Sequence, residues 1–242
     1  MKNILYFIRL IKGLFVRLKL HVVFGPFSWF LENLLYLSRF SKWKTTTPAP
    51  AFNDFFNSKV DYNNRYKLYQ YILEKEQLDK EINYVEFGVA QGHSFRWWMK
   101  NNAHPESKFT GFDTFTGLPE DWNFLFKKGS MADKGRIPEV EDKRAALKAG
   151  LFQDTLPGFL NEFCTDKRNV IHMDADLYTS TLYVLTSIAP YLKNNDIILF
   201  DEFFVPTGEF KAFTEFVNSY YLKYEVIGAI NNYLQIAIKI IK

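Results

Sequence analysis

Glu86-Phe87-Gly88-Val89-Ala90-Gln91-Gly92-His93-Ser94 follows an apolar run that begins at Tyr84 and precedes a helical stretch over residues 95–100. A strand that ends in a glycine turn and opens a helix is the first unit of an α/β sheet. Glycines at 88 and 92 tolerate the backbone angles of such a turn and let the chain approach a ligand at the sheet's carboxyl edge, where the helix offers its free N–H groups. The spacing is G-x-x-x-G with alanine at 90, whereas a dinucleotide fingerprint reads G-x-G-x-x-G. Glu86, just ahead of the turn, favours a cationic ligand group over a pyrophosphate.

Outward from this turn, β-rich runs alternate with helical ones, the pattern of a mostly parallel sheet covered by helices. Strands are expected at residues 84–89, 109–113, 170–174, 196–200, 224–227 and 233–240, with one more near 146–152, after a helix over 62–78. The one long irregular stretch, 114–140, carries Gly117, Pro119, Gly129, Gly135 and Pro138. A loop of that length in a compact domain is usually functional, for example a lid.

The chain has 242 residues, 48% hydrophobic and 24% charged, which suits a compact domain and excludes disorder throughout. Its net charge of +3 is unevenly spread. Residues 1–44 hold eight Lys/Arg against the single acid Glu32, net +7, leaving 22 bases and 26 acids beyond them, net −4. A mildly acidic body does not suit nucleic-acid binding, because phosphate neutralisation needs positive charge over the docking face. The lone cysteine, Cys164, allows no intrachain disulfide and fits a reducing cytoplasm.

Residues 1–24 read as a basic amphipathic helix, with Lys2, Arg9, Lys12, Arg17 and Lys19 opposite Ile4, Phe7, Ile8, Ile11, Phe15, Leu18 and Val22. Gly25-Pro26 is expected to end it, and an aromatic-rich helix over 27–43 to follow. The run Thr45-Thr46-Thr47-Pro48-Ala49-Pro50 then marks a linker, dividing an extension (residues 1–50) from the main domain (51–242). The uncharged stretch 20–31 is twelve residues, too short for a bilayer span of about 20. The extension can serve as an arm for a homo-oligomer, a cap over the site, or a peripheral contact with anionic lipid at the inner face of the membrane.

Asp113 ends the next strand, 25 residues after Gly88, where a carboxylate can accept both hydroxyls of a ribose. The acid-x-G-x-x-x-G turn resembles the first motif of class I S-adenosylmethionine-dependent methyltransferases. The continuation Asp113-Thr114-Phe115-Thr116-Gly117-Leu118-Pro119-Glu120-Asp121-Trp122 is more specific. With Gly150-Leu151-Phe152-Gln153-Asp154-Thr155-Leu156-Pro157, His172-Met173-Asp174-Ala175-Asp176-Leu177-Tyr178 and Phe200-Asp201-Glu202-Phe203, it resembles the macrocin O-methyltransferase family of tylosin-type sugar O-methyltransferases over residues 60–240. The resemblance implies a Rossmann-like class I methyltransferase fold, a seven-stranded mostly parallel sheet with a terminal antiparallel hairpin. It implies S-adenosyl-L-methionine as cofactor and a hydroxyl of a sugar or glycosylated metabolite as acceptor. Its cofactor residues here are Glu86, Gly88, Gly92, Ser94, Asp113, Thr114, Gln153 and Asp154; Asp154 reads equally as the cap of a helix beginning near Pro157.

Asp174, Asp176, Asp201 and Glu202 end two neighbouring strands, and unpaired anions at that density repel. A cation resolves this, and oxygen ligands favour Mg²⁺ or a similar hard ion. Carried over from the family, the ligands are Asp174, Asp201 and Glu202, and the ion would acidify the acceptor hydroxyl. Asp174 is the first choice of general base, followed by Asp176, His172, His93 and Tyr178; His172 also reads as a hydrogen-bonded core residue. Trp97 and Trp98 read as core packing. Lys127, Lys128 and Arg136 in the long loop are solvated charge or contacts for an anionic acceptor. The alternatives are a nicotinamide-dependent oxidoreductase and a non-catalytic membrane-associated protein with a degenerate methyltransferase fold.

Overall fold

The computed structural model describes residues 2–123, 125–132, 135–163 and 166–242; Cys164 lies outside the described residues. Seven strands form one sheet: β1 (Ile82–Phe87), β2 (Lys108–Asp113), β3 (Ala145–Ala149), β4 (Arg168–Met173), β5 (Ile197–Phe200), β6 (Lys223–Ile230) and β7 (Gln235–Ile241). Their order is β3-β2-β1-β4-β5-β7-β6, and β7 is antiparallel to both β5 and β6. The expected mostly parallel sheet with a closing antiparallel hairpin is therefore the observed one. The order runs outward in both directions from β1 and β4, which places the chain reversal, and the crevice such a reversal creates, beyond the carboxyl ends of these two strands.

The chain opens with α1 (Lys2–Arg17), α2 (His21–Phe24) and α3 (Ser28–Thr46), the last two joined by a 3₁₀ turn at Gly25–Phe27. The expected single helix to residue 24 is broken earlier. Lys19 adopts φ 51°, and the N–H groups of Leu20 and Lys19 close back on Phe15 and Val16, a Schellman-type end with lysine where glycine is usual. Gly25-Pro26 ends the short α2 at Phe24, as expected, but the chain stays helical beyond it. Pro26 lies early in the 3₁₀ turn, where a missing N–H removes no helical bond, and the turn runs straight into α3. Among the described residues no helix is long and apolar enough to cross a membrane.

Period-two alternation in the strands divides the core between the two sheet faces. Tyr84, Phe109, Val170 and Leu199 pack with α4 (Arg65–Lys75) and α5 (His93–Asn101), through Leu68, Ile72, Phe95 and Trp98. Val85, Phe87, Phe112, Met173 and Phe200 face α6 (Phe152–Asn161), α7 (Tyr178–Ile188) and α8 (Glu209–Tyr220). Trp98 is fully buried, as expected of core, and Trp97 packs beside Tyr66 and Tyr69. The α3 helix joins the second core: Phe40 contacts Phe203 and Phe210, and the Trp43 indole N–H donates to the Tyr224 hydroxyl at 2.8 Å. Contact with the sheet domain thus begins before the composition change at residues 45–50.

The helix expected to begin near Pro157 begins at Phe152 and carries Pro157 inside it. Proline removes one helical bond there, but burial of Leu156 and Leu160 against the sheet outweighs that loss. Asp154 therefore lies in the first helical turn, where its charge suits the helix dipole.

Candidate active site

Beyond the ends of β1, β2 and β4 lies a cavity of about 870 Å³. Gly88, Ala90, Ser94, Asp113, Gln153, Asp174, Asp176 and Glu202 line it from the sheet side, and the 114–140 loop contributes Phe115, Leu118, Trp122 and Arg136. Among the described loop cations Arg136 lines the cavity, and Lys127 pairs with Asp121 at 3.0 Å.

The glycine turn owes its shape to the protein as much as to any ligand. Gly88 has φ 97°, and a Cβ there would lie 1.8 Å from the Asp174 carbonyl oxygen. Its glycine is required by the crossing of the β1 and β4 ends. Gly92, at φ 73°, caps α5 and lies behind the cavity wall rather than on it. Ala90 is held at φ 47°, a left-handed conformation rarely adopted by alanine. Its N–H donates to Asp113 Oδ2 at 2.7 Å, while the Phe115 N–H donates to Oδ1 at 2.7 Å. Each Asp113 oxygen is oriented by one backbone donor and keeps further acceptor capacity for a ligand. Thr114, also on the cavity wall, closes its own turn by donating to the Gly117 carbonyl at 2.8 Å.

Alternation along β1 and β4 points Tyr84, Glu86 and His172 toward α4, where they meet Tyr69 and Arg65. His172 is fully buried between two acids, Glu86 (Oε2 at 3.5 Å from Nδ1) and Asp201 (Oδ1 at 3.9 Å from Nε2). Burial alone would lower its pKa, but Asp201 and Glu86 outweigh burial and push it up to about 9. The imidazolium donates from Nδ1 to the Tyr84 hydroxyl (2.7 Å) and from Nε2 to that of Tyr69 (3.2 Å). Tyr84 passes its own proton bond to Glu86 and Tyr69 to Asp201. Asp201 also accepts from Tyr62 and, at 3.2 Å, from Arg65. Burial would raise the Asp201 carboxyl, yet His172, Arg65 and Tyr62 hold it below the usual value.

The remaining acids are not so neutralised. Among the described residues no hydrogen-bond donor meets the carboxyls of Asp174, Asp176 or Glu202. Burial, then Asp201 and Asp176, pushes Asp174 well up. Burial, Asp201 and Asp113 raise Asp176 to about 7, and burial, Asp201 and Asp176 raise Glu202 to about 8. Asp176 is held at φ 57°, a strained conformation of the kind that clusters at functional sites.

Several sequence expectations change here. Asp154 is exposed and does not line the cavity. His172 lies behind the wall, fully buried and bonded to Tyr69 and Tyr84, where it has no place on the cavity lining. Tyr178 donates to Glu215 on α8 and also lies off the cavity, whereas His93 lines it. The set Asp174, Asp201 and Glu202 does not converge as a metal cage. The acidic group that does converge is His172, Asp174 and Asp201, with ligand atoms within 4.8 Å of one another. In it the Asp201 oxygens already accept from Tyr62, Tyr69 and Arg65, and both His172 ring nitrogens meet tyrosine hydroxyls, so a divalent ion there would have to displace these partners. Tyr62 and Arg65, which line the cavity, went unnoticed in the sequence. Their only signal is a three-residue spacing at the start of a helix, indistinguishable from a solvated face.

Residues 85–203 match the family described as "Methyltransferase domain". No curated protein matches the chain. Among solved structures, the calicheamicin methyltransferase CalS11 is 23% identical, with a TM-score of 0.57 over 86% of this chain and 92% of that one. Its apo structure, described as a TDP-rhamnose 3'-O-methyltransferase, is 22% identical with a TM-score of 0.52, over 86% and 94%. The O-methyltransferase NovP is 16% identical, with a TM-score of 0.56 over 88% and 99%. An O-methyltransferase from Bacillus cereus in complex with SAH is 14% identical, with a TM-score of 0.50 over 86% and 90%. The likeness shows the Rossmann-like methyltransferase fold.

Proposed function

We propose that this chain is an S-adenosylmethionine-dependent O-methyltransferase acting on a hydroxyl of a sugar or glycosylated metabolite. The observation that carries this reading is Asp113, whose two oxygens are aimed by the Ala90 and Phe115 amides into a cavity that Glu86 also lines. That pair suits a ligand with a ribose at one end and an ammonium at the other. Glu86 Oε2 is committed to Tyr84 and His172, leaving Oε1 for a cation. Ser94 and Gln153 extend the same wall. The match of residues 85–203 to a methyltransferase domain supports the reading, and the likeness to CalS11, a TDP-rhamnose 3'-O-methyltransferase, supports the acceptor class.

When bound, S-adenosylmethionine supplies a methyl group on a sulfonium sulfur. Asp113 and Glu86 would hold the two ends of that ligand, and Phe115, Leu118 and Trp122 of the long loop line the same cavity. These apolar side chains exclude water and offer faces on which a sugar ring can lie. Asp176, strained and facing the cavity, would take the acceptor hydroxyl's proton as the hydroxyl oxygen bonds to the methyl carbon and the carbon–sulfur bond breaks, leaving the neutral thioether S-adenosylhomocysteine. A carboxyl raised to about 7 is part ionised at neutral pH, which suits a proton acceptor, while burial and the neighbouring acids push Asp174 well above the usual carboxylate range. Alignment of oxygen, methyl carbon and sulfur can contribute roughly 7–11 kcal/mol. No step passes through a metal ion, since Asp201 is held by protein donors.

Calorimetry with S-adenosylhomocysteine tests the reading. Saturable binding is expected, and no heat at millimolar ligand, in protein shown by circular dichroism to be folded, would refute it.

A further inference from the structure

We propose that residues 2–46 are a peripheral anchor that lays α1 flat on an anionic lipid surface. No residue of α1 is buried. Ile4, Phe7, Ile11 and Phe15 share one side of the helix, and Ile4 and Phe7 are 65% and 61% exposed. Arg9, Lys12 and Arg17 occupy the opposite side. The apolar exposure continues past the turn at Lys19: Phe24 stacks on Phe15, and Trp29 on α3 is 57% exposed. Continuous uncovered apolar surface of this kind marks an interaction site.

Charge decides the occupant. Residues 1–44 carry net +7, and their one acid, Glu32, is already paired with Lys211 of α8 at 2.7 Å. A second copy seated on this arm would bring two +7 segments together. An anionic bilayer satisfies both stripes at once, with the apolar side in the acyl boundary and the basic side among the headgroups. The arm lies on the surface and does not cross it, because none of its helices is long and apolar enough to span. It is fixed to the domain where Phe40 and Trp43 meet Phe203, in the turn directly after the cavity residue Glu202. A lipid surface under α1 would therefore be tethered beside the site that binds the acceptor. The anchor does not depend on the activity proposed above and stands or falls separately from it.

The test is sedimentation of the full chain with vesicles of phosphatidylglycerol and phosphatidylcholine in equal parts, against vesicles of phosphatidylcholine alone. Binding to the anionic vesicles alone, weakened by salt, is expected. Phe7→Asp with Ile11→Asp should abolish it. Arg9→Gln with Lys12→Gln should weaken it about 30-fold, at roughly fivefold per basic residue near the surface. Both double variants should keep the wild-type melting temperature, since the altered side chains are not buried in the domain. Equal binding to both vesicle types, or to neither, would overturn the proposal. So would a dimer in lipid-free solution that Phe7→Asp with Ile11→Asp dissociates.

Discussion

Asp113→Asn isolates the geometry on which the functional reading rests. In the folded protein each Asp113 oxygen accepts one backbone N–H at 2.7 Å, from Ala90 and Phe115. Asparagine is the same size but has a single acceptor, so its NH₂ must face either a backbone N–H or the ligand. If the amide keeps the Phe115 bond, Ala90 loses the contact that steadies its left-handed turn. One neutral hydrogen bond lost at a partly exposed place costs about 1 kcal/mol, or a fall in melting temperature of roughly 2–4 °C for a domain of this size. The ligand loses more, because a hydrogen bond to a charged acceptor contributes about 1.5–3 kcal/mol, a roughly ten- to hundredfold rise in Kd. Titration calorimetry with S-adenosylhomocysteine, paired with a thermal melt, measures both quantities. If the variant binds within twofold of the wild type while remaining folded, Asp113 does not hold a ribose and the cavity has another ligand.

Arg65→Met removes the ion pair that Arg65 makes at 3.2 Å with the fully buried Asp201, and should destabilise the fold by about 3–5 kcal/mol; a loss under about 1 kcal/mol in urea unfolding would contradict the network. His172 has a folded pKa raised to about 9 from 6.5, so its contribution is fully present below pH 6.5 and is lost as pH rises through 9. The stability gap between wild type and His172→Gln should shrink by about 3 kcal/mol over that window, and a pH-independent gap would show that the ring is not charged. Gly88→Ala should not give a stable native protein, since its Cβ would meet the Asp174 carbonyl oxygen at 1.8 Å; a variant melting near the wild type would mean the β1 and β4 ends can separate freely. Once an acceptor is found, turnover should persist in excess chelator. Loss with chelator and recovery with Mg²⁺ would show that an ion displaces Tyr62 and Arg65 from Asp201.

The sheet was readable because its central strands are buried on both faces. Runs such as 84–89 and 170–174 alternate with amphipathic helical stretches, and that local periodicity survives in a single sequence. The Gly88–Gly92 turn and Asp113 were readable for a related reason: each lies a few residues past a recognisable strand, at positions the chain direction alone determines. The breaks at Lys19 and the start of α6 were not readable. Lysine in a left-handed cap and proline inside a helix both run against local preference, and they are tolerated only through bonds and packing made elsewhere.

The charge logic of the site divides in the same way. The carboxylates at 174, 176, 201 and 202, and their gathering at one rim, follow from residue type and strand order. What neutralises each of them does not. Arg65 and Tyr62 come from a helix more than 130 residues earlier in the chain, and they reach Asp201 because α4 packs on the face toward which β1 and β4 alternate their polar side chains. Only that packing turned Asp201 from an expected metal ligand into a paired buried anion and His172 from a candidate base into a cation. The sequence by itself determined the fold class, the glycine turn after β1 and the basic character of the first 44 residues, all properties of local pattern. The tertiary structure decided which acids remain open to a ligand, because the energy of a buried charge depends on its nearest partners in space, which may be distant in the chain.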